Sequence, residues 1–171
     1  MQTLEVSTVV YLPPSETYEF LLDFPRYARY SEHLARVEQE GEGGPGTTYR
    51  LHFEWWKLSY VLHTRVTDVD PPHEISWEVT KDVDAEGAWE LDAVPEEAPA
   101  DRTSATRVTL RVTYHPHQVD SGVLDLPRFV PFDVESKVRS LVEKEGKRVV
   151  ERVVADLEGE SRPVDVTVRS Y

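Results

Sequence analysis

Residues 133–159 carry apolar side chains at Val134, Val138, Leu141, Val142, Val149, Val150, Val153, Val154 and Leu157, with charged residues between them. Gaps of three, four and seven put these side chains on one stripe of an α-helix and leave the charges on the other face. Asp133 can cap the first turn, Glu135 sits where the helix dipole favours an anion, and Gly159 can end the helix. Valine is a weak helix former, so packing rather than propensity must hold this segment. The chain before it must therefore supply a broad apolar surface.

That surface is legible as strands. Residues 2–11 alternate as a first strand, stopped by Pro13 and Pro14. Ser15 then caps a short helix through Phe24, with Tyr18, Leu21 and Leu22 on its apolar side, and a second short helix from Arg26 to about His33 carries Tyr27 and Tyr30. Residues 34–40 read as a weak strand ended by the glycine-rich loop 41–46, which lacks the Lys-Ser/Thr pair and following helix of a phosphate loop. Residues 47–56 alternate Tyr49, Leu51, Phe53 and Trp55 against Thr48, Arg50, His52 and Glu54, the pattern of a half-buried antiparallel strand. Segments 58–69, 74–81, 87–94 and 106–115 continue it, bringing Trp77, Trp89 and Tyr114 to the same face. Hairpin-length connections predict an antiparallel sheet with the helices gathered on one side. The expected class is α+β, a curved seven-stranded sheet wrapped around the long C-terminal helix. Residues 1–159 are expected to form a single domain, and 160–171 an extension whose alternation suits a short strand, on this sheet or on a neighbouring subunit.

The order of elements carries a resemblance. Tyr11-Leu12-Pro13-Pro14-Ser15-Glu16-Thr17-Tyr18-Glu19-Phe20-Leu21 follows the first strand. Asp23 and Phe24-Pro25-Arg26-Tyr27-Ala28-Arg29-Tyr30 precede the second, and Val108-Thr109-Leu110-Arg111-Val112-Thr113-Tyr114 forms the strand before the last helix. Over about residues 2–158 this resembles the SRPBCC superfamily of START-like, helix-grip proteins, nearest its polyketide cyclase/dehydrase and coenzyme-Q-binding START-like group. The resemblance implies a cavity between sheet and C-terminal helix that takes a lipid, quinone, polyketide or similar small molecule. It implies no shared catalytic residue, because relatives include both cyclases or dehydratases and carriers. The acidic insertion 95–104, the proline-framed segment 116–132 and the C-terminal extension depart from the compact pattern of the superfamily.

Charge and composition narrow the alternatives. A net charge of −13 argues against binding a phosphate backbone. The absence of cysteine removes thiol chemistry and disulfides. No apolar run reaches membrane-spanning length and the first residues lack a signal-peptide pattern, so a cytoplasmic protein without membrane insertion is expected, monomeric or homodimeric. Dispersed acid with lysine only at positions 57, 81, 137, 144 and 147 resembles proteins of salt-loving archaea, an ordinary acidic protein being the alternative.

The candidate ligand-contacting residues are Tyr27, Tyr30, Tyr49, Phe53, Trp55, Trp77, Trp89, Tyr114, Phe129, Phe132, Val142 and Gly146. Each aromatic could simply fill the core. Together they make a face whose Tyr and Trp supply polar handles in an apolar setting, the usual composition of a small-molecule site. Gly146 either bends the long helix, leaves room beneath it, or is merely tolerated. The histidines are scattered: His115 and His117 lack a third ligand, and His63 faces solvent in this register, so neither metal nor cofactor is expected. Three readings stay open: a binder or carrier of a hydrophobic small molecule, a cyclase or dehydratase using the same cavity, and a protein-interaction module with a filled core and an exposed apolar patch near residues 124–132.

Overall fold

The computed structural model describes residues 1–55, 58–115 and 134–171, with the side chains at 55, 58, 134–139, 141 and 142 outside that description. β1 (Gln2–Val10) leads into α1 (Pro14–Leu22) and a 3-10 helix (Phe24–Arg29). There follow β2 (Leu34–Glu40), β3 (Thr48–Trp55), β4 (Leu58–Asp70), β5 (Glu74–Val79), β6 (Ala85–Ala93) and β7 (Thr106–Tyr114), then α2 (Val134–Leu157) and β8 (Thr167–Ser170). All strands join one antiparallel sheet in the order β2-β3-β4-β5-β6-β7-β1-β8. The seven expected strands are all present. The eighth comes from the extension, which pairs Val168 with Val6 on the free edge of β1 and buries Val164 and Val168.

Local chemistry explains the helix boundaries. α1 begins one residue before Ser15, with Pro14 at the first helical position and no side-chain cap. Proline needs no hydrogen-bond partner there and its fixed φ suits the helix. The second short helix is a 3-10 turn rather than the α-turn expected to run to about His33. α2 ends at Leu157, and Gly159 turns the chain away with φ +76°, a left-handed conformation that glycine adopts without strain.

The apolar stripe of α2 behaves as its spacing requires, Val154 being fully buried while Val149, Val150, Val153 and Leu157 pack against the same core. Asp133, Phe129, Phe132 and the rest of 116–132 lie outside the described residues, as do the side chains of Trp55 and Val142. A bulge in β4 between Val66 and Asp68 keeps both Val66 and Val69 on the core side, opposite Trp77 and Ile75.

Gly146 lies within α2, and a Cβ built there meets nothing within 4 Å among the described residues. Glycine in a helix costs about 0.5–1 kcal/mol relative to alanine, and no close contact among the described residues offsets that cost. Gly146→Ala is expected to raise the unfolding midpoint by about 2–3 °C in a thermal melt.

Candidate functional site

The inward side of the sheet can be assigned strand by strand from the registers. Tyr49, Leu51 and Phe53 of β3 lie opposite Thr64, Leu62 and Tyr60 of β4. Val66 and Val69 continue the face to Trp77 and Ile75 of β5, and these to Gly87 and Trp89 of β6. Val112, Leu110 and Val108 of β7 then carry it to Leu4, Val6 and Thr8 of β1.

Ring-on-ring packing divides the expected aromatics into two groups. Phe24 stacks on Tyr49 with ring centroids 4.3 Å apart and on Tyr27 at 5.1 Å, and Tyr27 meets Trp89 edge-on at 6.4 Å. Phe20 joins Tyr30 at 5.5 Å. Tyr27, Tyr30, Tyr49 and Trp89 are thus brought together where α1 and the 3-10 helix meet the sheet. Two of their handles are already used: the Tyr27 hydroxyl donates to the Leu21 carbonyl and the Tyr30 hydroxyl to the Asp156 carboxylate of α2. Phe53 and Trp77 pack against the core while remaining partly exposed. Tyr114 is half-buried at the end of β7, opposite Gln2 and Ala85.

Three buried hydroxyls on this face have no hydrogen-bond partner among the described residues: those of Tyr49, Tyr60 and Thr64. Tyr49 and Thr64 are direct cross-strand partners, and Tyr60 stands opposite Phe53 further along the same ladder. An unmet buried hydroxyl costs about 1–3 kcal/mol, so three on one wall call for an explanation. Burial, reinforced by Asp23 for Tyr49 and by Asp82 for Tyr60, raises both phenols above their ordinary pKa. They therefore stay protonated at neutral pH and can donate to an oxygen, but they are poor bases.

Tyr60 and Thr64 are not among the residues expected from sequence. The β4 bulge puts Val69 out of phase with both, so a single alternation cannot place the two ends of that strand, and the pairing with Tyr49 and Phe53 is what reveals them. Between the loop before β2 and α2, His33 Nε2 lies 3.6 Å from Glu145 Oε2, and Arg148 contacts the same carboxylate at 3.0 Å. Glu145 falls on the helical stripe continued by Val149 and Val153. Among the described residues no group of three or more His, Asp or Glu is placed to hold a metal ion. No described helix is long and apolar enough to cross a membrane.

A family model described as polyketide cyclase / dehydrase and lipid transport matches residues 1–158. None of the curated proteins matches the chain in sequence. Among solved structures, the Zhui aromatase/cyclase from Streptomyces sp. R1128 superposes with a TM-score of 0.67 at 18% identity, over 92% of this chain and 94% of that one. A START superfamily protein from Mycobacterium smegmatis gives 0.65 at 15% identity, over 92% and 99%. A protein from Thermus thermophilus gives 0.59 at 21% identity, over 92% and 94%. At these identities the structural likeness concerns the fold.

Proposed function

The chain belongs to the polyketide cyclase / dehydrase and lipid transport family, and on that premise we propose that it binds a hydrophobic or amphipathic small molecule carrying polar oxygens, such as a lipid, quinone or polyketide, against the inner face of the sheet under α2. The observation that carries this reading is the set of hydroxyls of Tyr49, Tyr60 and Thr64 that have no partner among the described residues, on an otherwise apolar, aromatic wall. Three unmet hydroxyls close together on one wall are costly in a filled core, whereas a ligand with a carbonyl or hydroxyl group would satisfy them. Phe53 and Trp77, partly exposed beside them, supply contact area for its apolar body.

Tyr60→Phe tests the reading. Removing a hydroxyl that has no partner among the described residues should leave the stability of the free protein within about 0.5 kcal/mol of the wild type, while losing a ligand hydrogen bond weakens affinity about tenfold. Titration with an anilinonaphthalene-type fluorophore, displaced by quinones or fatty acids, measures both variants. Equal affinities together with a destabilised Tyr60→Phe protein would make the hydroxyl a structural group and count against the site.

A cyclase or dehydratase reading is favoured by the His33–Glu145 pair, an acid and a base within reach of one another on the stripe side of α2. Under that reading His33→Ala and Glu145→Gln abolish turnover of a polyketide substrate while retaining binding.

A further inference from the structure

The outer face of the sheet opposes like charges across neighbouring strands. Asp70 of β4 is the direct partner of Glu74 in β5, and Glu74 is the direct partner of Glu90 in β6. Further along the same pair of strands, Glu78 stands opposite Glu86. Side chains that face each other in an antiparallel pair have Cβ atoms only about 5 Å apart, and like charges there are destabilising. Arginines relieve part of this: Arg65 pairs with Glu78, and Arg111 bridges Glu5 at 2.9 Å and Glu90 at 2.6 Å. Asp70, Glu74 and Glu86 have no salt bridge within 4 Å among the described residues; Glu74 accepts from the Ser76 hydroxyl at 2.8 Å and feels Arg111 only at longer range.

We propose that these carboxylate rows make folding salt-dependent, so that monovalent salt stabilises the chain chiefly by screening the outer face of β4–β6 rather than its net charge as a whole. At about 1 M salt the screening length falls to roughly 3 Å, shorter than the cross-strand spacing, whereas at low salt the rows repel at full strength. The electrostatics of Glu90, inside these rows, point the same way. Burial raises the Glu90 carboxyl above its ordinary pKa against the opposing pull of Arg111 from β7, helped by Glu74 of β5, Glu5 of β1 and Asp92 of its own strand. A carboxyl raised in the folded state favours folding below its unfolded pKa and loses that contribution as pH rises through the folded value. Mild acid and salt should therefore act in the same direction at Glu90.

Thermal melts at 0.05 and 2 M KCl test the proposal on two double variants that change net charge by the same three units. Glu74→Gln/Glu86→Lys alters the rows, and Glu42→Lys/Glu160→Gln alters exposed carboxylates of the 41–46 loop and the C-terminal turn. The wild-type midpoint is expected to rise by about 4–8 °C with salt. The row variant should start higher at low salt and lose about half of that rise, and the control should keep most of it. Equal loss in both variants, or no salt-induced rise in the wild type, overturns the proposal.

Discussion

Arg162→Ala is expected to destabilise the fold by about 3–5 kcal/mol, the cost of leaving a buried carboxylate without its partner. The carboxylate is Glu158, at the end of α2, whose side chain is 1% exposed. Arg162 grips it with two nitrogens, at 2.9 and 3.0 Å, and donates a further hydrogen bond to the Val9 carbonyl at 2.9 Å. Its guanidinium lies 3.8 Å from the centre of the Tyr11 ring, and the Tyr11 N–H donates to Glu158 at 3.0 Å. Arg102, from the acidic insertion, donates to the Glu158 carbonyl at 2.9 Å. One cluster thus joins α2, the end of β1, the insertion and the extension. Adding Glu158→Gln to Arg162→Ala removes the stranded charge and should recover part of the loss, a coupling that a urea double-mutant cycle measures directly. Additive effects would mean that the clasp contributes nothing as a unit.

Gly87→Val is expected to cost about 3 kcal/mol or more and to disturb the inner face. Gly87 lies between β5 and β7, opposite Trp77 and Val112. A Cβ there falls 2.5 Å from the Trp77 ring and 2.5 Å from the Arg111 carbonyl oxygen. The absence of a side chain is what lets the indole lie across the sheet, and the clash cannot be relieved cheaply because one neighbour is backbone. Urea denaturation gives the stability change. The near-ultraviolet circular dichroism of Trp77 should change with it, and an unchanged spectrum with wild-type stability would contradict this packing.

Both residues show where sequence reading stops. Strand alternation and the stripe of α2 are short-range patterns, so the α+β class, the antiparallel sheet and the inward position of Tyr49, Trp77 and Trp89 can be read from residue spacing. The resemblance carried by residues 11–30 and 108–114 points to the family whose model the chain matches. Glu158 and Arg162 are close in sequence, but their value depends on Tyr11 and Val9, which lie 147 and 153 residues from them, and no local pattern announces that contact. Gly87 reads as the mere start of a strand until Trp77 is placed opposite it. Tyr27 and Tyr30 are residues whose type suggests handles for a ligand, yet their hydroxyls are spent on Leu21 and Asp156. On the sheet, the hydroxyls without a partner among the described residues sit instead on Tyr49, Tyr60 and Thr64, a distinction that rests on cross-strand register and hydrogen bonding rather than on residue type.

The binding proposal is tested most directly by native mass spectrometry of the full chain purified without detergent or organic solvent. A one-to-one adduct with an apolar, oxygen-bearing small molecule is expected, released by solvent extraction and markedly depleted in Tyr60→Phe. A spectrum holding only the bare chain, unchanged after incubation with quinones, fatty acids and polyketides, would contradict the account.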